Sequence, residues 1–132
     1  MRRFLALIVL HVSAFGSEII AYYTPTCGCC SSYFSKLEKK GIKVQRVKLS
    51  PEELGRMKLK MGIPPQLTSC HTMIYENRFI EGHVPPEGVI RVLKDKSIRG
   101  VASLHGKVSG LGGFESSYFV VNKDNSFKEV KP

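Results

Sequence analysis

The chain has 132 residues, 42% of them hydrophobic and 23% charged, with seven Pro, twelve Gly, four Cys, no Trp and a formal net charge of +9. That is the size of one globular domain: too short for two independent cores, too rich in recurring aliphatic and aromatic residues for disorder, and without the repeated apolar runs of a polytopic membrane protein. Lys and Arg are spread over all the predicted elements instead of forming a stripe with stacking aromatics, so the charge predicts solubility and attraction to anionic surfaces, and no nucleic-acid partner.

Met1, Arg2 and Arg3 precede an apolar run over residues 4–10, and Ala14, Phe15 and Gly16 follow. A basic start, a short apolar stretch and small residues before a cut make the layout of a secretory signal peptide, cleaved after Gly16. The run is shorter than the roughly 20 residues that cross a bilayer, so no stable membrane insertion is expected after removal. No Cys lies near the cut, which argues against lipid anchoring. The expected organisation is a signal over residues 1–16 and one domain over 17–132, in the periplasm.

Residues 18–23 carry Ile19, Ile20, Ala21, Tyr22 and Tyr23 without alternation, which predicts a strand buried on both faces. A turn through Thr24, Pro25, Thr26, Cys27, Gly28, Cys29 and Cys30 comes next. Tyr33, Phe34 and Leu37 then fall at helical spacing, and Gly41 closes the helix. Residues 42–49 read as a second strand. Ser50, Pro51, Glu52 and Glu53 form a capping box with Pro at the first helical position, and Leu54, Met57 and Met61 mark the apolar face of the helix that follows.

Gly62, Ile63, Pro64 and Pro65 stop that helix, and extended structure resumes around residues 70–75. Asn77 and Arg78 turn the chain back into Phe79 and Ile80. A further helix presents Val89, Ile90 and Leu93 on one face and ends near residues 94–96, where cations suit the helix dipole. The predicted order is β-α-β-α-β-β-α, a small α/β sandwich with its active loops at strand ends. After Gly100 the glycines Gly106, Gly110, Gly112 and Gly113 predict a loop covering the domain, and residues 117–121 and 126–130 a terminal hairpin.

The four cysteines fall in two short segments, Cys27, Cys29 and Cys30 in one and Cys70 in the other. As C-x-x-C, Cys27 and Cys30 bracket a helix N-terminus, where unpaired N–H groups and the helix dipole stabilise a thiolate; this is redox chemistry. As C-x-C-C, three thiolates converge on one loop and Cys70 adds a fourth, a soft site suited to Cu(I) and, with poorer reason, to zinc. A framework of two structural disulfides is the third possibility in an exported chain. It explains less, because adjacent Cys29 and Cys30 do not readily bridge and three cysteines on one loop waste crosslinks.

Four motifs in order carry a resemblance: Thr26-Cys27-Gly28-Cys29-Cys30, Gly62-Ile63-Pro64-Pro65, Ser69-Cys70-His71-Thr72 and Glu81-Gly82-His83-Val84-Pro85. Together they resemble the bacterial domain-of-unknown-function family of periplasmic copper- and metal-binding proteins, of the CopG copper-resistance type, over residues 18–115. The resemblance implies an exported thioredoxin-like domain with a copper-related function and a metal site at Cys27, Cys29, Cys30 and Cys70. In a thioredoxin-like fold the loop before the third strand packs against the redox loop and often carries a cis-Pro, the place where Pro64 and Pro65 stand. Members of the family commonly carry a Gly/Met/Pro-rich segment near the C-terminus. Lys107 and Phe114 stand here where methionines are expected, so either the thiolates suffice, or His105 substitutes, or the chain has shifted toward redox work.

Among the other candidates, His71 adjoins Cys70 and is placed to ligate metal or to tune a thiolate, although strand alternation points it opposite Cys70. His105 lies in the Gly-rich segment, where an exposed loop histidine is the plainer reading and ligation the alternative. His83 reads as the brace of a turn. Met57, Met61 and Met73 read as core, and Tyr22 and Tyr23 as core and rim. The function expected is Cu(I) binding in copper handling or resistance, with copper ions and a periplasmic transfer or redox protein as partners. The alternative is a thiol-disulfide oxidoreductase with Cys27 attacking and Cys30 resolving.

Overall fold

The computed structural model describes residues 18–132; the expected signal peptide lies outside the described residues. The first strand, β1 (Ile19–Tyr23), leads through the cysteine turn into α1 (Gly28–Lys39), and β2 (Val44–Lys48) into α2 (Pro51–Lys60). A 3-10 turn (Pro65–Leu67), β3 (Thr72–Tyr75), β4 (Arg78–Glu81), α3 (Pro86–Lys94) and β5 (Ile98–Ala102) follow. The chain ends with the short α4 (Lys107–Gly110), β6 (Tyr118–Asn122) and β7 (Phe127–Val130). The expected β-α-β-α-β-β-α order is present. All seven strands join one mixed sheet in the order β2-β1-β3-β4-β5-β6-β7, with β1–β2 and β4–β5 parallel and the other pairs antiparallel.

Local chemistry accounts for the element boundaries. The Ser50 hydroxyl accepts from the Glu53 N–H and the Glu53 carboxylate accepts from the Ser50 N–H, so the capping box satisfies two donors at the start of α2. Gly41 adopts φ +85° just beyond α1, the left-handed conformation that closes a helix without steric penalty. The reversal between β3 and β4 is made by Glu76 and Asn77, both at positive φ, with Arg78 already in the strand.

The sheet is covered on both faces. Tyr33, Phe34 and Leu37 of α1 and Val89 and Val92 of α3 pack with Ala21, Met73, Ile80, Val101 and Tyr118 on one face. Ile63 and Leu67 cover Phe79, Ala102 and Val121 on the other. Burying the apolar side chains of these two layers supplies roughly 1.5–3 kcal/mol for each large residue. Met73 is fully buried, and Met57 and Met61 are half-buried, consistent with core roles.

Several expectations need correction. β1 alternates, with Ile19, Ala21 and Tyr23 buried and Ile20 and Tyr22 half-buried, because one of its faces is less completely covered. In α3 the core face is Gly88, Val89 and Val92, and Ile90 is exposed, so the face is rotated from the one expected. The Gly-rich loop expected after Gly100 begins inside β5, a strand paired on both sides. Gly100 is a packing requirement there: a Cβ would lie 2.5 Å from the Phe79 carbonyl oxygen. The loop also contains α4 and lies against α1, where a Cβ on Gly112 (φ +80°) would stand 2.6 Å from Cβ of Ser32. No peptide bond among the described residues is cis, so the expected cis-Pro is absent, and Pro64–Pro65 instead opens the 3-10 turn.

Candidate metal centre

The sheet register decides which residues meet. Tyr22 of β1 pairs with Thr72 of β3, and Thr72 pairs with Glu81 of β4. The end of β1, the start of β3 and the end of β4 therefore lie side by side, and Cys27 to Cys30, Cys70 and His71, and His83 extend from those ends. The Glu81 carbonyl accepts from the Ser103 N–H just beyond β5, and the His83 carbonyl from the Glu115 N–H, which draws the C-terminal loop to the same place.

Cys27 is the N-cap of α1, and Cys29 and Cys30 occupy its first turn. Cys27 and Cys30 are joined by a disulfide; Cys29 and Cys70 are free. The two-disulfide framework is therefore not what forms. Cys29 Sγ is 3.4 Å from Cys27 Sγ, and the sulfur atoms of all four cysteines lie within 4.8 Å of one another. Cys30 is fully buried and the other three are partly accessible, so an incoming group reaches the cluster at Cys27, Cys29 and Cys70.

Burial is the largest influence on the Cys70 thiol, which is pushed up to about 11; the Ser69 hydroxyl opposes the shift and nearby Cys29 adds to it. The metal-free thiol is thus held protonated at neutral pH, and a thiophilic cation would have to displace that proton. The segment bearing Cys70 is anchored by a buried charge network. The fully buried Glu81 carboxylate accepts from Lys58 of α2, from the Ser69 N–H at 2.7 Å and from the Thr72 hydroxyl at 2.6 Å, while Lys58 also donates to Thr72 at 2.9 Å. Sequence patterning gave no sign of this pair. Its members are 23 residues apart and meet only because α2 crosses the sheet face opposite α1.

Cys70 and His71 precede β3, so the strand alternation expected to separate them does not operate. His71 Nδ1 lies 3.5 Å from Cys70 Sγ. His71 and His83 are both fully buried, with ring centroids 5.3 Å apart. Burial is the main reason that His71 is held well below the ordinary imidazole range, with His83 and Lys58 adding to it. His83 does brace a turn, through Nδ1 at 2.9 Å from the Gly113 carbonyl oxygen, but it also joins Cys70 and His71 in a second group whose ligand atoms lie within 4.8 Å. The Gly-His-Val-Pro segment at the strand end was the signal for it.

His105 is exposed, with its ring 6.2 Å from that of His83, and belongs to neither group. Lys107 is exposed at the start of α4. Phe114 packs edge-on to Tyr33 at 5.7 Å, and Tyr33 in turn stands against the His71 and His83 rings. Glu115 closes the loop by accepting from the Gly106 and Ser109 N–H groups and the Ser109 hydroxyl.

Fold and site together define a mixed α/β protein with a seven-strand sheet and a cysteine/histidine cluster able to hold a metal ion. The family resemblance is borne out: residues 67–105 match the model of the family described as "Protein of unknown function, DUF411". Two solved structures share the fold. "Copper resistance protein copG- Form 1" is 22% identical, with a TM-score of 0.76 over 87% of this chain and 96% of its own. "Copper resistance protein copG- Form 2" is also 22% identical, with a TM-score of 0.75 over 88% and 98%. None of the curated proteins matches the chain. Among the described residues, no helix is long and apolar enough to cross a membrane.

Proposed function

We propose that the protein is exported and binds copper, holding Cu(I) through the thiolates of Cys27, Cys29, Cys30 and Cys70, with a role in copper handling or resistance. The observation that carries this reading is the convergence of four sulfur atoms within 4.8 Å, three from one helical turn and one from the facing loop. Clustered soft thiolates favour Cu(I) over harder divalent ions, and zinc has the poorer claim. The titles of the two similar structures support a copper role. Residues 1–16 support export to the periplasm, with cleavage near Gly16, and a transfer or redox partner there. We read the core as thioredoxin-like, since β2-β1-β3-β4 with α1 following the cysteine turn matches that arrangement.

Loading all four sulfurs requires the Cys27–Cys30 disulfide to accept two electrons and two protons from a thiol reductant, which becomes a disulfide. Binding then releases thiol protons. The test is an anaerobic Cu(I) titration of the reduced mature domain against a chromophoric chelator, with Cys70→Ser alongside. Cys70→Ser should weaken retention at least 100-fold, beyond the roughly 10–100-fold cost of losing an outer-shell partner, with the fold intact. Unchanged retention in that variant removes Cys70 from the site.

The disulfide at the N-terminus of α1 favours a second reading, thiol-disulfide exchange with Cys27 as the accessible attacking sulfur and Cys30 as the buried resolving one. The same titration separates the two. A reduced chain that withdraws no copper from the chelator moves the assignment to disulfide exchange.

A further inference from the structure

The short α4 reverses the ordinary order of burial. Ser109 is fully buried and donates to Glu115, while Val108 and Leu111 beside it are 44% and 76% exposed. A single exposed aliphatic side chain is ordinary, but a polar residue turned inward between two aliphatic ones turned outward needs a physical reason. The turn is also held firmly. The Leu111 and Gly113 N–H groups both donate to the Val108 carbonyl, at 3.1 and 2.9 Å, and the Glu115 carboxylate accepts from the Gly106 N–H and from both the N–H and the hydroxyl of Ser109. Its place is beside the cysteines: a Cβ added to Gly112 would lie 2.6 Å from Cβ of Ser32 and 3.7 Å from the carbonyl oxygen of Cys29, one of the accessible cysteines.

The rim of this apolar spot is cationic. Lys107 is exposed four positions before Leu111, on the same side of the turn, and Lys36 is exposed four positions along α1 from Ser32, the residue that meets Gly112. The acids of this region are spent inside: Glu81 is fully buried with Lys58, and Glu115 is closed onto the loop. We infer that Val108 and Leu111, with Lys107 and Lys36, form the docking surface for a copper-delivering protein whose own metal-holding thiols are bordered by apolar side chains and carboxylates. This inference rests on the copper reading above and gives the chemistry of its transfer partner. A second copy of the chain is the poorer occupant, because it brings the same cations to the contact. A turn already fixed by its own hydrogen bonds loses little freedom on docking, and carboxylates on the partner steer the encounter. In the transfer Cu(I) leaves the partner's thiolates for those of the reduced chain, and the protons released by the chain's thiols pass to the partner's sulfurs; no oxidation state changes.

The test is the rate of Cu(I) transfer to the reduced full mature chain, by rapid mixing without oxygen, from three synthetic Cys-x-x-Cys peptides: one flanked by Leu and Glu, one by Ser and Glu, one by Leu and Lys. At low ionic strength the Leu/Glu peptide should deliver copper about tenfold faster than either of the others, and its lead over the Lys peptide should narrow with added salt. Lys36→Glu/Lys107→Glu leaves the chain with a positive net charge and should reverse the preference between the Glu and Lys peptides, while uptake from the Cu(I)–acetonitrile complex stays as in the unaltered chain. Equal rates from the Leu/Glu and Ser/Glu peptides would overturn this inference and leave the copper reading standing, a comparison that needs no variant. A preference for the Glu peptide that persists in the charge-reversed variant would assign the attraction to overall charge and overturn the position proposed here. A reduced chain that takes copper from neither the peptides nor the acetonitrile complex would overturn both.

Discussion

The two ends of the sheet are built on opposite terms. At the end away from the cysteines, turn side chains satisfy one another. The buried Arg78 guanidinium donates to the Asp95 carbonyl and to Glu76, Ser97 donates twice to Asp95, and Ser126 twice to Asp124. Serine hydrogen bonds hold the Asp95 and Asp124 carboxyls below their usual range. At the cysteine end, the free thiols of Cys29 and Cys70 stand beside the Cys27–Cys30 disulfide. Among the described residues, the buried side-chain nitrogen or oxygen atoms without a partner are His71 Nε2 and His83 Nε2, both at that end. A closed network has no capacity left for a ligand. Unspent donor atoms held in place by a buried frame do.

That contrast can be broken at its frame. Lys58→Met leaves the Glu81 carboxylate buried without its cation, and losing one partner of a buried pair costs about 3–5 kcal/mol. Urea unfolding should show that loss. A change below 1 kcal/mol would mean that the Ser69 and Thr72 hydrogen bonds carry Glu81 by themselves.

Between the two ends, Gly100→Ala drives a methyl group against the Phe79 backbone and should destabilise by about 1–3 kcal/mol, the usual range for overpacking. Reduced thermal stability with copper retention close to that of the unaltered chain is the expected pattern. An unchanged melting temperature would show that β4 and β5 separate easily.

The smallest expected effect lies at the far end. Asn77 sits at φ +65°, where Ala is less well accommodated, so Asn77→Ala should cost about 1 kcal/mol and leave copper retention unaltered. If the substitution lowered copper retention, the two ends would be coupled and the comparison would fail.

Much of this was legible from residue order. The capping box at Ser50, the closing Gly41, the cysteine turn between a strand and a helix, and the terminal hairpin follow from local chemistry that acts over a few residues. β5 was hidden because Gly100 weakens its strand pattern, and its need for glycine comes from Phe79, 21 positions earlier and on a neighbouring strand. His71 was misplaced because alternation was extended two residues before the start of β3, to Cys70.

The sequence by itself determined the donor chemistry: which residues carry sulfur and imidazole, and that three cysteines share one turn. Tertiary structure alone decided what those donors face. The β1–β3–β4 register brings Cys70 to the α1 cysteines and His83 to His71, the Gly113 carbonyl sets the tautomer of His83, and Lys58 neutralises Glu81 across a sheet face. Such contacts join residues tens of positions apart, and no local pattern specifies them, because their energies exist only once the layers have packed.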